Sequence, residues 1–145
     1  MKIRTFTIQK INEPKEFNQD YIGVDDKNRV FAIADGVTTS AFPEIWSKII
    51  VNSFLDNPFN EEKPSRSFLE NWLGNASKQF ESELSKLNLD PFIMNLTRDK
   101  GAATTFLGCH IIDKNKKWKK IKMWAIGDSN IFLIKKNKLK NLFPI

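Results

Sequence analysis

The sequence predicts an α+β fold built on antiparallel sheets. Short β-patterned runs open the chain, helical patterns fill its middle, and β-patterned runs return at the end. A doubly wound parallel sheet would alternate strands with helices instead. Two apolar runs, Tyr21–Val24 and Val30–Ala34, are joined directly by Asp25-Asp26-Lys27-Asn28-Arg29, which is a hairpin signal. The length of 145 residues, with 41% hydrophobic and 28% charged, is the balance of one globular domain (1–145) that can bury a core.

Taken in order, Ile3–Gln9 alternates apolar and polar residues and suits a first strand. Asn12–Asn18 is polar, holds Pro14 and reads as a loop. Within the hairpin, Val30-Phe31-Ala32-Ile33-Ala34 has no polar position, which suggests a strand buried on both faces. Pro43–Asp56 repeats Ile45, Trp46, Ile49, Ile50, Phe54 and Leu55 at helical spacing, and Asn57-Pro58 ends it. Ser67 followed by Glu70 resembles a capping box. The stripe beyond it, including Trp72, Ala76, Phe80 and Leu84, predicts a long helix in which Gly74 costs about 1 kcal/mol unless it permits a close contact. A loop follows around Asp90-Pro91 and Arg98-Asp99. Ala102–Ile112, Ile121–Ile126, Ile131–Ile134 and Leu139–Phe143 are strand candidates, joined by loops at Asp113–Lys120, Gly127–Asn130 and Lys136–Asn137.

Composition excludes several classes of function. One cysteine, Cys109, rules out an intrachain disulfide and a cysteine-cluster zinc site. No apolar run approaches the roughly 18 residues of a membrane span, and MKIRTFTIQK lacks the apolar core of a signal peptide, so a cytoplasmic protein is the expectation. The net charge of +6 is local: ten lysines and two aspartates fall after Cys109. The Lys114–Lys122 cluster around Trp118 could bind nucleic acid, but a solvated loop between strands is the simpler reading. Cys109 and His110, neighbours on a strand, should point to opposite faces, and neither has an adjacent catalytic partner.

The hairpin carries the chemistry. A turn centred between Lys27 and Asn28 pairs residues whose numbers sum to 55, so Asp20 faces Asp35. Two opposed carboxylates repel, unless one is protonated or a cation sits between them. Asp35 follows an apolar strand, where an uncompensated charge is costly. Gly36 permits a sharp turn and offers a carbonyl. Such oxygen-only donors suit magnesium or manganese. The alternative is that both aspartates merely flank strand ends and cap loops.

Four segments in order resemble the protein phosphatase 2C family of metal-dependent serine/threonine phosphatases. They are Asn18-Gln19-Asp20 with Arg29-Val30-Phe31-Ala32-Ile33-Ala34-Asp35-Gly36, then Gly101-Ala102-Ala103-Thr104-Thr105, then Ala125-Ile126-Gly127-Asp128-Ser129-Asn130, then Lys138-Leu139-Lys140-Asn141-Leu142. The resemblance spans nearly the whole chain. It implies a β-sandwich of two antiparallel sheets flanked by helices, with two divalent cations, Mn2+ or Mg2+, at one end. Asp35 would bridge the metals, the Gly36 carbonyl would ligate one, Asp20 would hold metal-bound waters, and Asp128 would serve an additional, weaker site. Lys15 would stand where an arginine often binds the substrate phosphate, with charge but no bidentate fork. The substrate would be a phosphoserine or phosphothreonine protein, attacked by metal-activated water.

The departures are Gln19 for the usual Glu, Asp35-Gly36-Val37-Thr38-Thr39-Ser40 without Gly-Gly, and Asn130 for Arg. The family's later metal-binding motifs do not appear before Ile145, so the domain reads as incomplete at its C-terminus, and a weak or inactive phosphatase is expected from this chain alone. A second chain could complete the fold. The rival readings are a non-catalytic module on the same scaffold that binds a partner or phosphoprotein, and, less favoured, a nucleic-acid-binding domain.

Overall fold

Asp25 closes the first hairpin. Its carboxylate accepts from the Asn28 backbone N–H at 2.9 Å and from Asn28 Nδ2 at 2.6 Å. Those hydrogen bonds hold the Asp25 carboxyl below its usual range. Arg29 ends the turn at φ 57°, so β1 (Asp20–Asp25) returns as β2 (Val30–Asp35) through four residues. The register is Asp20 opposite Asp35 through Asp25 opposite Val30, as the turn position predicts.

The structure is a computed structural model describing residues 3–8, 11, 12, 14, 17–115 and 118–143, without the side chains of 113–115, 118 and 119. After the hairpin come α1 (Pro43–Asp56), α2 (Arg66–Lys86) and α3 (Pro91–Lys100), then β3 (Phe106–Asn115), β4 (Trp118–Ile126), β5 (Ile131–Lys135) and β6 (Lys138–Phe143). The expectation of α+β with antiparallel pairing holds. Strands β1-β2-β3-β4 form one four-stranded antiparallel sheet, and β5-β6 form a separate two-stranded one.

Helix α1 covers one face of the larger sheet. Small residues on the strands admit it: a Cβ at Gly23 would lie 2.4 Å from Val51 Cγ1. Val30, Ala32 and Ala34 turn to this face and are buried, whereas Phe31 and Ile33 are only half-buried. The strand therefore alternates, and the expectation of burial on both faces is corrected. Its apolar outward residues have no full second layer over them among the described residues.

The core is aromatic. Phe59, just after Pro58 in the loop beyond α1, packs edge-on to Phe54, Phe68, Trp72 and Trp124 at centroid distances of 5.1 to 5.5 Å. Phe106 joins from β3, 5.2 Å from Phe54. From α2, Trp72, Ala76, Phe80 and Leu84 are buried, four residues apart, as the helical stripe predicts.

Several boundaries differ from the sequence reading. Residues 3–8 form no strand; they run beside β1, where Thr7 Oγ1 accepts from Asn18 Nδ2 at 2.8 Å. Ser65, not Ser67, caps α2, its Oγ accepting from Phe68 N at 3.2 Å. The segment read as a loop around Asp90-Pro91 is the start of α3: Asp90 Oδ1 accepts from Phe92 N at 2.8 Å and Pro91 occupies the first turn. That pairing of a capping aspartate with proline is a helix-start signal. Strand β3 begins at Phe106 rather than Ala102, and the loop expected over 113–120 is mostly strand, with β3 and β4 pairing out to Asn115 and Trp118. A sandwich would bury one face of β5–β6, yet Phe132, Ile134 and Leu139 are 58 to 64% exposed.

Candidate functional site

The site lies where β1 begins and β2 ends. Gly36 N donates to Gln19 O at 3.0 Å, so Gln19 and Gly36 are a hydrogen-bonded pair across the ladder. The next pair, Asp20 and Asp35, is then of the non-hydrogen-bonded kind, with Cα atoms about 4.5 Å apart and side chains on one face. Asp20 is half-buried and Asp35 is exposed. Exposure corrects one part of the sequence argument. At an open strand end the Asp35 charge stays hydrated, so the apolar strand before it imposes no heavy desolvation cost.

The glycine after Asp35 is required by space rather than by a turn. A Cβ at Gly36 would lie 2.6 Å from Pro43 Cβ and 2.7 Å from Pro43 O. The backbone there presses on the first turn of α1, and its φ is not left-handed. Ser47 of α1 is fully buried beneath it, with Oγ 2.6 Å from Gln19 O and 2.5 Å from Pro43 O. Thr38 Oγ1 donates to Gln19 Oε1 at 2.7 Å, so the Gln19 amide anchors the loop after Gly36.

The threonine pair binds the end of β2 directly. Asp35 O accepts from Thr105 N and from Thr104 Oγ1, both at 2.8 Å. Asp35 N donates to Thr105 Oγ1 at 3.2 Å. That same hydroxyl lies 3.0 Å from Ser129 Oγ. Gly127, at φ 95°, fits against Thr105, where a Cβ would come within 2.9 Å of Cγ2. Segments containing Gln19-Asp20, Asp35-Gly36, Thr104-Thr105 and Gly127-Ser129, far apart in sequence, are thereby linked at one end of the sheet.

The remaining predicted residues fare differently. Asp128 is exposed on the docked turn, and its carbonyl accepts from Asn130 Nδ2 at 2.7 Å. It does not join Asp20 and Asp35: among the described residues no three His, Cys, Asp or Glu side chains are grouped to hold a metal. Lys15 lies outside the described residues. Sequence reasoning missed a cavity of about 420 Å3 beside Asp20, lined in part by Thr5, Asn18, Tyr21, Glu44 and Lys48. Glu44 and Lys48 are one turn apart on α1; no local motif signals that this turn meets the start of β1.

The donor set remains suited to a hard cation. Two carboxylates in a narrow pair, beside solvent, match the way magnesium is held by one or two carboxylates and keeps several waters.

Of the Lys114–Lys122 cluster, Lys120 and Lys122 make structural contacts, and the side chains of Lys114, Lys116, Lys117 and Lys119 lie outside the described residues. Lys120 Nζ pairs with the Glu62 carboxylate, Lys122 Nζ donates to Asn60 O, and Trp124 Nε1 donates to Glu61 O at 3.1 Å. Strand β4 thus pins the loop that carries Phe59. His110 faces Lys122 across the ladder, and its Nδ1 is buried with no hydrogen-bond partner. Burial, then the Lys122 charge, lower its pKa. Burial raises the Cys109 pKa, which favours the neutral thiol over the thiolate. Comparison with protein families, with curated proteins and with solved structures finds no match for this chain.

Proposed function

We propose that this chain is a phosphatase 2C-type domain, a metal-dependent serine/threonine phosphoprotein phosphatase with weak turnover of its own. The observation that carries the reading is the narrow pairing of Asp20 with Asp35, supported by the hydrogen bonds that draw Thr104, Thr105 and Ser129 to the same end of the sheet. Asp20 and Asp35 would hold Mg2+ or Mn2+, with the Gly36 carbonyl as a further oxygen donor and Asp128 reserved for an additional, weaker site. When bound, such cations supply an acidified water and neutralise phosphate charge. The cavity beside Asp20 would seat the phosphoserine or phosphothreonine side chain, and Lys48 on its wall would provide a cation for the phosphate. Lys15 keeps that role as a second candidate.

The test is hydrolysis of an aryl phosphate with and without manganese. Weak manganese-dependent turnover that Asp35→Asn abolishes supports the reading, and turnover indifferent to chelator removes it. One observation favours a second reading, a non-catalytic module that binds a partner or phosphoprotein. The described residues group no third acidic ligand with Asp20 and Asp35. Calorimetry decides between them: no heat of metal binding by a folded chain selects the module.

A further inference from the structure

The β5–β6 hairpin stands apart from the four-stranded sheet. Both of its turn residues are left-handed, Lys136 at φ 51° and Asn137 at φ 57°, which is the two-residue turn that matches strand twist. Phe132 pairs with Leu142, and Ile134 with Leu139. A register shift between Leu133 and Ile134 opposes Leu139, not Lys140, to Ile134. Side chains directly opposite, or two apart on one strand, share a face, so all four do. Phe132, Ile134 and Leu139 are exposed, and Leu142 is half-buried. A two-stranded ribbon is marginally stable at best alone in water, and contiguous exposed apolar side chains rimmed by polar ones mark an interaction surface.

Charge narrows the partner. Lys135, Lys136, Lys138 and Lys140 surround the turn, all exposed, and no acidic residue follows Asp128. Among the described residues none of the four is in an ion pair. Lys120, by contrast, pairs with Glu62. Four open cations beside an apolar face fit a surface that is anionic outside and apolar within.

Size and charge disfavour other partners. The ribbon is about 17 Å long and about 10 Å wide, so one face offers roughly 170 Å2. A stable protein interface takes roughly 800 Å2 from each side. Two such hairpins face to face would also set like charges together. Nucleic acid would attract the lysines, but Ile134 and Leu139 present no ring for a base to stack on.

We propose that the β5–β6 hairpin docks the chain onto an anionic lipid surface. Phe132, Ile134 and Leu139 enter the boundary between headgroups and acyl chains, and the four lysines sit among the headgroup phosphates. Apolar burial and the attraction of lysine to anionic lipid add in such contacts. The contact is peripheral: the ribbon lies on the bilayer and does not cross it. Docking of this kind does not depend on phosphatase activity. Where the chain is a phosphatase, docking would confine it to phosphoproteins at the membrane surface.

Co-sedimentation of the full chain with vesicles tests it. The chain should pellet with vesicles of equal parts phosphatidylcholine and phosphatidylglycerol, stay in solution with phosphatidylcholine alone, and be released by high salt. Lys135→Gln with Lys136→Gln and Lys138→Gln should weaken binding about tenfold or more. Ile134→Ser with Leu139→Ser should weaken it comparably. Lys27→Gln with Lys63→Gln and Lys78→Gln removes the same charge elsewhere and should leave binding near wild type. All these side chains are exposed, so circular dichroism should not change. No pelleting with the anionic vesicles overturns the proposal, including the case where a second copy already covers the hairpin. Equal weakening by the Lys27, Lys63 and Lys78 changes also overturns it, since the attraction is then a diffuse effect of net charge. So does binding that the Ile134 and Leu139 changes leave intact, which would be a lysine surface for nucleic acid or another polyanion.

Discussion

Asp20 and Asp35 oppose each other in a non-hydrogen-bonded pair, held there by the Gly36 N–H to Gln19 O bond one step further along the ladder. This pairing brings the two Cα atoms as close as an antiparallel ladder allows. In the metal-free chain it costs stability, of the order of 0.2–1 kcal/mol for a cross-strand pair. Asp35→Asn should therefore raise the melting temperature of the metal-free chain slightly. On the proposed function manganese should raise the wild-type melting temperature further, and Asp35→Asn should abolish that rise. Equal melting of the two chains without metal would show that the carboxylates do not repel.

Phe59 carries a disproportionate share of the core. It stands in a loop, yet is 3% exposed and touches rings from α1, α2 and β4. Phe59→Ala should cost about 3–5 kcal/mol, the range for truncating a buried phenylalanine. Urea unfolding measures it. A loss below about 1 kcal/mol would mean the cluster collapses around the gap.

Gly74 has no packing reason to be glycine. A Cβ there meets nothing within 4 Å, and the residue sits mid-way along α2. Gly74→Ala should stabilise the chain by about 0.5–1 kcal/mol by removing backbone freedom from the unfolded state. An unchanged denaturation midpoint would contradict this.

His110 is the single histidine, and burial followed by the Lys122 charge lowers its pKa from 6.5. The unfolded chain then binds a proton more readily than the folded one. Stability is full above the unfolded value and declines as pH falls through it, until the folded value is reached. Thermal melting between about pH 8 and about pH 5 should show that decline before the carboxylates titrate. His110→Gln should flatten it. A variant with the wild-type slope would assign the effect elsewhere.

The hairpin was fully legible because its register follows from the turn position alone. Once Lys27 and Asn28 mark the centre, every pair down to Asp20 and Asp35 is set by counting. Helices α1 and α2 were legible for a similar reason: their stripes repeat over enough turns to outweigh local noise. Helix α3 was missed although Asp90-Pro91 announces it, because its ten residues are too few to repeat an apolar stripe over several turns, and only Thr97 among them is buried. The N-terminal run alternates like a strand, but alternation supplies no hydrogen-bonding partner, and residues 3–8 take none of the ladder.

The candidate site divides along the same line. Local sequence determined the opposed aspartates and the chain's α+β character, since turns and periodicity act over a few residues. Tertiary packing decided the rest. It placed Thr105 between Asp35 and Ser129, set Gly36 against Pro43, and opened the cavity between Glu44, Lys48 and Asp20. It left Asp128 out of any acidic cluster among the described residues. It also turned Lys120 and Lys122 from an apparent charge run into clamps on the loop that carries Phe59. The physical reason is range. A turn constrains residues a few positions apart, whereas these contacts, Gly36 with Pro43 excepted, join segments 20 to 70 positions apart, which only the burial of a common core brings together.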